Sequence, residues 1–453
     1  MRFAAALFLF VVPVRAEFSA GAAKRVITPD LKSRPVYLAG FGQNRVAAGV
    51  HDDLYARCVA FSAGGTVVVC GVDSIGLFLD DVEKIRDSVN DRLEEPADIV
   101  VAAVHDHAAP DTMGLWGPAP GNSGIDEQYN VLLVDRVAEA AVEAVRSLRP
   151  ASLKLASLRT TELDSFIADD RPPRVLDSEL VVVSAIDSSG ATIATLVNWA
   201  NHPETLGPAN KEITADYPGY FYSALERKMG GVAVLVNGAL GGMQSPLEAK
   251  IADPATGKPA PAGSFRKAEI LGARVAELAA QPLKAPQRAR PEQVEYYEAA
   301  IEIPVTNQGF RKAAAAGVFG QRKALGPEGV MRTVVGVIRI SDSKGPLLEA
   351  AVVPGELYPE LSVGGVKRYA GADFPDAPVE PPIKAMMTAP YRMLIGLGND
   401  EIGYLIPKAE WDEKAPWLKS AASAWYGEVN SPGPDAAAIV ADAIEALLEE
   451  TGD

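Results

Sequence analysis

Histidine is the most informative residue type in this sequence, because 453 residues contain only four. His105 and His107 directly follow the apolar run 100–104, so the chain leaves the core of the protein carrying two imidazoles. His202 follows the mostly apolar run 192–199 in the same way. Imidazoles that gather at strand ends are typical of zinc sites. The spacing therefore predicts a metal site, with zinc as the metal.

Other side chains are needed to complete such a site, and the alternatives stay open at this point. Each histidine taken singly could equally be a structural residue with a hydrogen-bonded ring. A carboxylate usually completes a zinc site that lacks thiolates. Glu356 follows the apolar run 347–353 on a Pro-Gly turn, and Tyr404 follows the run 393–397 and a polar turn. Taken alone, Glu356 would be a surface acid and Tyr404 a core residue.

The elements that must position these residues follow from hydrophobic periodicity. Short apolar runs alternate with segments of helical period, which predicts an α/β (α+β mixed) fold. We expect a large single catalytic domain with mixed sheets flanked by helices and the zinc site at strand ends. The predicted strands are 55–61, 66–72, 99–104, 180–186, 192–199 and 232–236, and the predicted helices are 81–93, 128–148, 215–229, 265–278 and 436–448.

Composition and charge exclude some partners. The net charge is -16, and the lysines and arginines are scattered, so we expect no nucleic acid partner. We find no internal run near the ~20 apolar residues of a membrane span. Cys58 and Cys70 flank Gly64 and Gly65 in a predicted hairpin. A cross-strand disulfide and two buried free thiols are equally compatible with that placement.

The first sixteen residues resemble a signal peptide. A charged start, an apolar stretch and a small residue at Ala16 predict cleavage before residue 17, which leaves 17–453 as the mature domain. A buried first strand or helix is the alternative. We find no Asn-x-Ser/Thr sequence, so nothing suggests glycosylation. We therefore predict a secreted or periplasmic protein from a bacterium.

Several stretches resemble the motifs of one known family. They are residues 19–29, residues 49–57, His105-Asp106-His107-Ala108-Ala109-Pro110, Asn201-His202-Pro203, Pro354-Gly355-Glu356 and Gly403-Tyr404. In these stretches the chain resembles the catalytic N-terminal domain of the neutral/alkaline, non-lysosomal ceramidases. We expect that domain without the family's C-terminal immunoglobulin-like domain.

The resemblance implies roles for individual residues. It makes His105, His202, Glu356 and Tyr404 the ligands of one Zn²⁺ per chain. His107 would lie beside the scissile amide for acid/base chemistry, and Tyr426 would donate a hydrogen bond to the oxyanion. The implied activity is zinc-dependent hydrolysis of a linear, ceramide-like amide by metal-activated water. Such a lipid or small-molecule substrate allows transient contact with a membrane surface. The oligomeric state is not indicated.

The sequence also departs from that family. No arginine stands at Leu163-Asp164-Ser165, where the family has an oxyanion-stabilising arginine, so Arg171 and Arg174 become candidates. Ser245 is displaced within its motif and lacks the neighbouring aspartate, which argues against a serine nucleophile. A zinc esterase, a hydrolase of a non-sphingolipid substrate and a non-catalytic zinc-stabilised binding protein are the alternatives. His107 favours an enzyme, because holding the metal does not require it.

Overall fold

A computed structural model describes residues 17–169, 171, 174–242, 244–320, 325, 329–418 and 424–450. The predicted signal peptide lies outside these described residues. The strands are β1 (Ser19–Val26), β2 (Gly49–Val50), β3 (Tyr55–Ala63), β4 (Gly65–Val72), β5 (Asp98–Ala103), β6 (Arg149–Leu158), β7 (Leu180–Asp187), β8 (Thr192–Trp199), β9 (Glu212–Ile213), β10 (Val232–Asn237), β11 (Gln287–Ala289), β12 (Gln293–Pro304), β13 (Val330–Asp342), β14 (Gly345–Val352), β15 (Glu356–Leu357), β16 (Tyr391–Ile395) and β17 (Tyr404–Leu405).

The helices alternate with these strands. They are α1 (Leu79–Asn90), α2 (Glu127–Arg146), α3 (Thr161–Ser165), α4 (Asp216–Met229), α5 (Phe265–Ala280), α6 (Gln308–Ala315), α7 (Pro359–Val363), α8 (Ile383–Met386), α9 (Tyr426–Val429) and α10 (Ala436–Glu450). None of the helices in the described part of the chain combines the length and apolar character needed to cross a membrane.

Two mixed sheets form the centre of the fold. The larger has the strand order β10-β8-β7-β6-β1-β3-β4-β5, with β11 beside β6. Its β10/β8 and β4/β5 pairs are parallel, and its other pairs are antiparallel. The smaller has the order β12-β13-β14-β16, in which only β14 and β16 run parallel.

The two sheets pack face to face with helices outside them. Along β3, Val59 and Phe61 belong to the core between the sheets, while Cys58 and Ala60 belong to the core beneath α1 and α2. This alternation follows from the two-residue period of a strand. Helices α4 and α5 cover the β7, β8 and β10 side, and α10 covers the smaller sheet. The result is two stacked sheets between layers of helix.

Close contacts bring distant strand ends together. A side chain at Gly71 in β4 would place its Cβ 2.2 Å from the carbonyl oxygen of Leu235 in β10, so only glycine permits this approach. The amide of Asn237 donates to the carbonyl of Val104 at 2.6 Å. The side chain of Asn399, after β16, accepts from the N–H of Val101 at 3.0 Å. These contacts gather the ends of β5, β8, β10 and β16 in one place.

The mixed α/β fold predicted from the sequence is confirmed. Each predicted strand and helix coincides with an observed element to within a few residues. Among the strands of ten residues or more, the sequence reading missed β6, β12 and β13. Most of β12 is only partly buried and carries Glu295, Glu298 and Glu302 among its apolar residues, so it contains no continuous apolar run.

The cysteines lie opposite each other and are bonded. Cys58 and Cys70 are register partners in the β3/β4 pair and form a disulfide with a sequence separation of 12 residues. Both are fully buried. The disulfide alternative is therefore the one observed, and such bonds persist in oxidising compartments.

We expect the disulfide to contribute to stability. Replacing both cysteines, as Cys58→Ala with Cys70→Ala, should lower the free energy of unfolding by about 2–3 kcal/mol, because closing a short loop restricts the unfolded chain. Denaturant unfolding would measure the loss. Reductant should destabilise the unaltered protein by a similar amount and leave the double variant unchanged, and equal stability of the oxidised and reduced protein would contradict this expectation.

Candidate metal centre and active site

His105 stands on a turn that begins where β5 ends. Its φ angle is 69°, in the left-handed region that few residues other than glycine adopt. Its ring nitrogen Nδ1 lies 2.7 Å from the carbonyl oxygen of Ile75. Because a carbonyl only accepts, the proton must be on Nδ1, which leaves Nε2 with a free lone pair. Local backbone strain of this kind is typical of functional sites.

His202 uses the same arrangement after β8. Its Nδ1 lies 2.7 Å from the carbonyl oxygen of Gln244, so its Nε2 is also the nitrogen available to a ligand. That Nε2 is 3.1 Å from Oε2 of Glu356. The Nε2 of His105 is 3.6 Å from Oε1 of the same carboxylate. Backbone carbonyls therefore orient both rings toward one acid, as outer partners orient the ligands of metal sites.

Glu356 and Tyr404 reach the same point from a separate two-stranded sheet, β15-β17. The two residues are register partners in the parallel β15/β17 pair, and both are buried. The hydroxyl of Tyr404 donates a hydrogen bond to the carboxylate of Glu356. Thus the structure brings together all four residues that the resemblance implied as ligands.

His107 lies beside this group. Its ring centroid is 4.8 Å from that of His105 and 5.5 Å from that of His202. Its Nδ1 lies 3.2 Å from Oε2 of Glu204. The ligand atoms of the three imidazoles are close enough to hold one metal ion. Two donor sets are thus compatible with the geometry, namely three histidines, or two histidines with Glu356 and Tyr404.

The electrostatics of the cluster favour a cation at its centre. Burial lowers the pKa of His105 to about 4. Burial also lowers the pKa of His202, but the adjacent carboxylates of Glu356 and Glu204 outweigh burial and raise that pKa overall. Burial raises the pKa of Glu356, yet the two imidazoles and Tyr404 lower it overall. A neutral imidazole lone pair facing a carboxylate at about 3 Å is unfavourable unless a proton or a metal ion lies between them.

A largely apolar cavity of about 480 Å³ opens over the cluster. Ligand sites typically have volumes of ~300–1,000 Å³. Its wall includes His105, His107, Glu204, Glu356 and Tyr404, together with the apolar side chains Phe41, Ile75, Phe78, Met113, Trp116 and Phe319. The cavity can therefore hold an apolar group against the metal centre.

Tyr426 lies at the mouth of this cavity. Its side chain lines the cavity, and 51% of its surface is exposed. Its ring packs edge-on against Tyr404, with centroids 5.9 Å apart. Although half of the residue's surface is exposed, partial burial and the charges of Glu356 and Glu204 raise the pKa of Tyr426 to about 12. At neutral pH its hydroxyl therefore keeps its proton and can donate it in a hydrogen bond.

The candidate arginines lie away from the cavity wall. The guanidinium of Arg171 is buried against Glu428 at 3.0 Å and donates to the carbonyl of Glu410. Arg174 donates to the carbonyls of Asp164 and Ile167. Neither is among the described residues that line the cavity. The oxyanion arginine of the resembling family therefore has no counterpart in either residue.

Ser245 and His51 also lie outside the cavity wall among the described residues. The hydroxyl of Ser245 accepts from the N–H of Leu247, which fixes a turn. The ring of His51 stacks on Phe265 at 3.7 Å and its Nδ1 contacts Asp52. His51 is thus the structural histidine of the four.

The sequence reading missed Glu204 and Glu401. Both are buried and line the cavity, and each has a carboxylate oxygen without a hydrogen-bond partner among the described residues. Glu204 could have been noticed because it stands two residues after His202. Glu401 gave no such signal, because it lies in a polar turn.

Comparisons with known proteins agree with the motifs. No protein-family model matches the chain. Neutral ceramidase B of Dictyostelium discoideum is 24% identical over 220 residues, which are 44% of this chain and 30% of that protein. The chain thus matches less than a third of the length of that relative.

Two solved structures are similar over nearly the whole chain. The crystal structure of neutral ceramidase from Pseudomonas aeruginosa has a TM-score of 0.69 and 18% sequence identity, and covers 96% of this chain and 75% of its own. A structure described as ceramidase complexed with C2 has a TM-score of 0.70 and 16% identity over the same shares. The chain has the neutral ceramidase fold, and the resemblance to that family seen in its motifs is confirmed.

Proposed function

We propose that the protein is an exported zinc-dependent hydrolase that cleaves an N-acyl, ceramide-like amide bond, with residues 17–453 as its catalytic domain. The observation that carries the proposal is the convergence of His105, His202, Glu356 and Tyr404 beside His107, with an apolar cavity opening over this cluster. The likeness to neutral ceramidases supports the reaction class.

For the metal, we propose one zinc ion held by His105, His202, Glu356 and Tyr404. Nitrogen and oxygen donors without thiolate suit zinc, and hydrogen bonds to backbone carbonyls already orient both imidazoles. When bound in such a site, zinc activates water and polarises the substrate carbonyl. We favour this set over three histidines because three histidines would leave the buried carboxylate of Glu356 uncoordinated, although it faces the Nε2 atoms of His105 and His202.

The chain itself supplies the proton transfer and the oxyanion contact. His107 is neutral at pH 7, because burial holds its pKa well below its usual value. It can therefore accept a proton from the attacking water and return it to the nitrogen of the leaving amine. Tyr426 can donate a hydrogen bond to the carbonyl oxygen as negative charge develops there.

The cavity indicates a lipophilic acyl group. Phe78, Met113, Trp116 and Phe319 supply apolar surface on its wall. A substrate with an aliphatic chain gains free energy by leaving water for such a wall. A lipid substrate would reach the site by transient contact at a membrane surface.

Export rests on two features of the chain. Residues 1–16 have the composition of a signal peptide, and the Cys58–Cys70 disulfide suits an oxidising compartment. We propose a secreted or periplasmic location in a bacterium.

The fixed position of Arg171 supports a second candidate function. Because Arg171 is engaged by Glu428 rather than facing the cavity, the oxyanion of an amide substrate would lack a contact from Arg171. A less demanding reaction, such as hydrolysis of an ester or of a non-sphingolipid amide, is compatible with that loss. A zinc-stabilised protein that only binds lipid is the non-catalytic form of this candidate.

The metal assignment predicts distinct effects of the histidine variants. Purified protein should contain about one zinc per chain, and His105→Ala or His202→Ala should remove most of it. His107→Ala should retain zinc and lose most hydrolytic activity. His51→Ala is the matched control and should retain both. Elemental analysis beside an amide hydrolysis assay would measure this, and loss of zinc in His107→Ala would instead make that residue a ligand.

The proposed oxyanion contact of Tyr426 predicts that its loss lowers kcat and leaves substrate binding unchanged. Tyr426→Phe should lower kcat about 10²-fold with little change in KM, because the hydrogen bond strengthens as charge develops on the oxygen. Steady-state kinetics on an N-acyl substrate would show it. Tyr391→Phe, a change on β16 away from the cavity, should leave both constants unchanged. A raised KM at constant kcat would mean that Tyr426 only binds substrate.

The apolar wall of the cavity predicts that kcat/KM depends on the length of the acyl chain. Each added methylene should raise kcat/KM ~4-fold until the cavity is filled, since burying one methylene contributes ~0.8 kcal/mol. Matched series of N-acyl amides and acyl esters, from acetyl upward, would measure the trend and rank the two bond types. Faster turnover of esters would favour the second candidate. Undetectable hydrolysis of both by zinc-loaded protein would favour the lipid-binding form.

A further inference from the structure

Glu204 contacts the proposed proton-transfer residue in an unusual way. It follows His202 by two positions, and its side chain is 3% exposed. Its Oε2 lies 3.2 Å from Nδ1 of His107. The N–H of His107 donates at 3.0 Å to the carbonyl of Pro203, the residue before Glu204. One short segment therefore holds both the backbone and the ring of His107.

The buried carboxylate of Glu204 accepts one side-chain hydrogen bond, from the hydroxyl of Ser245. Other buried acids in the chain support loops through backbone N–H groups: Glu349 accepts from Thr388 and Ala389, and Asp111 accepts from Met113 and Gly114. No backbone N–H of the described residues donates to the Glu204 carboxylate, and its Oε1 has no hydrogen-bond partner among them. An unpaired buried carboxylate oxygen costs stability, so another requirement must retain it.

The ring of His107 is otherwise confined by its neighbours. A Cβ at Gly40 would lie 2.3 Å from the ring, so glycine is needed there for the ring to fit. Phe41 packs edge-on against it at 5.1 Å, and Arg45 donates to its backbone carbonyl at 2.7 Å. Neither ring nitrogen has an aligned hydrogen bond in the described part of the chain. Among these neighbours Glu204 is therefore the group that can decide which ring nitrogen carries the proton.

The geometry points to Glu204 as a positioning residue that keeps the proton of His107 on Nδ1 and leaves Nε2 free to accept one from water. This inference rests on the proposed hydrolytic function and deepens it. As the water oxygen bonds to the acyl carbon, its proton passes to Nε2, and as the C–N bond breaks, that proton passes to the amine nitrogen. Throughout these transfers Glu204 stays beside Nδ1, at the end of the ring opposite the nitrogen that accepts the proton.

Nitrogen NMR tests the placement of the proton without any activity. With only four histidines in the chain, the ring signals of zinc-loaded protein can be assigned by single His→Ala variants. His107 should be the Nδ1–H form, and Glu204→Gln should shift it toward the Nε2–H form, because an amide N–H that can donate to Nδ1 replaces a carboxylate oxygen that accepts from it. Glu212→Gln, an exposed change on β9, is the matched control and should shift nothing.

Kinetics tests whether the placement matters to turnover. Glu204→Gln should retain zinc and lower kcat roughly 10–100-fold with KM nearly unchanged, the usual range for an outer partner of an active residue. Glu204→Asp, which keeps the charge, should recover part of the loss. Combining Glu204→Gln with His107→Ala should cost no more than His107→Ala alone, because the acid acts through that ring.

The outcomes separate this inference from the proposed function. If the unaltered protein hydrolyses no substrate, the proposed function fails and the NMR result still decides the pairing. The inference is overturned if the tautomer of His107 is unchanged in Glu204→Gln. It is also overturned if the double variant, Glu204→Gln with His107→Ala, loses more kcat than His107→Ala alone. Zinc loss in step with activity also overturns it, since Glu204 would then support a metal ligand.

Discussion

The structure depends on one electrostatic constraint, the meeting of two imidazole lone pairs with a buried carboxylate. His105 and His202 each donate an Nδ1–H hydrogen bond to a backbone carbonyl, so their Nε2 atoms face Glu356 at 3.6 and 3.1 Å. Without a cation this group is poorly balanced, because burial opposes every charge in it. The cluster lies where β5 and β8 of the larger sheet end beside the β15/β17 pair.

Local sequence patterns predict two of the four residues in this cluster better than the other two. The apolar runs before His105 and His202 marked both strands correctly, because fully buried strands read as continuous hydrophobic stretches. Glu356 and Tyr404 also follow apolar runs, but that pattern alone would make Glu356 a surface acid and Tyr404 a core residue. Only the family resemblance indicated them as ligands. Their pairing in register depends on tertiary structure, which no local sequence pattern predicts.

Glu204 shows a different limit of sequence reasoning. Its side chain reaches His107 because Pro203 bonds to the backbone of that residue across two separate strand ends. The sequence places Glu204 near His202 but not near His107. Likewise, the charge of Arg171 suggested a role at the oxyanion, while its burial against Glu428 was decided by a helix more than two hundred residues away. Charge can be read from a sequence, but its partner is set by packing.

The most direct test of the central claim is X-ray absorption at the zinc edge of the purified, zinc-loaded protein. Four ligands of nitrogen and oxygen type at ~2.0–2.2 Å, with the outer-shell scattering of two imidazoles, are the predicted result. Scattering from three imidazoles would contradict the ligand set of His105, His202, Glu356 and Tyr404. Failure of the folded protein to bind zinc would contradict the metal centre itself.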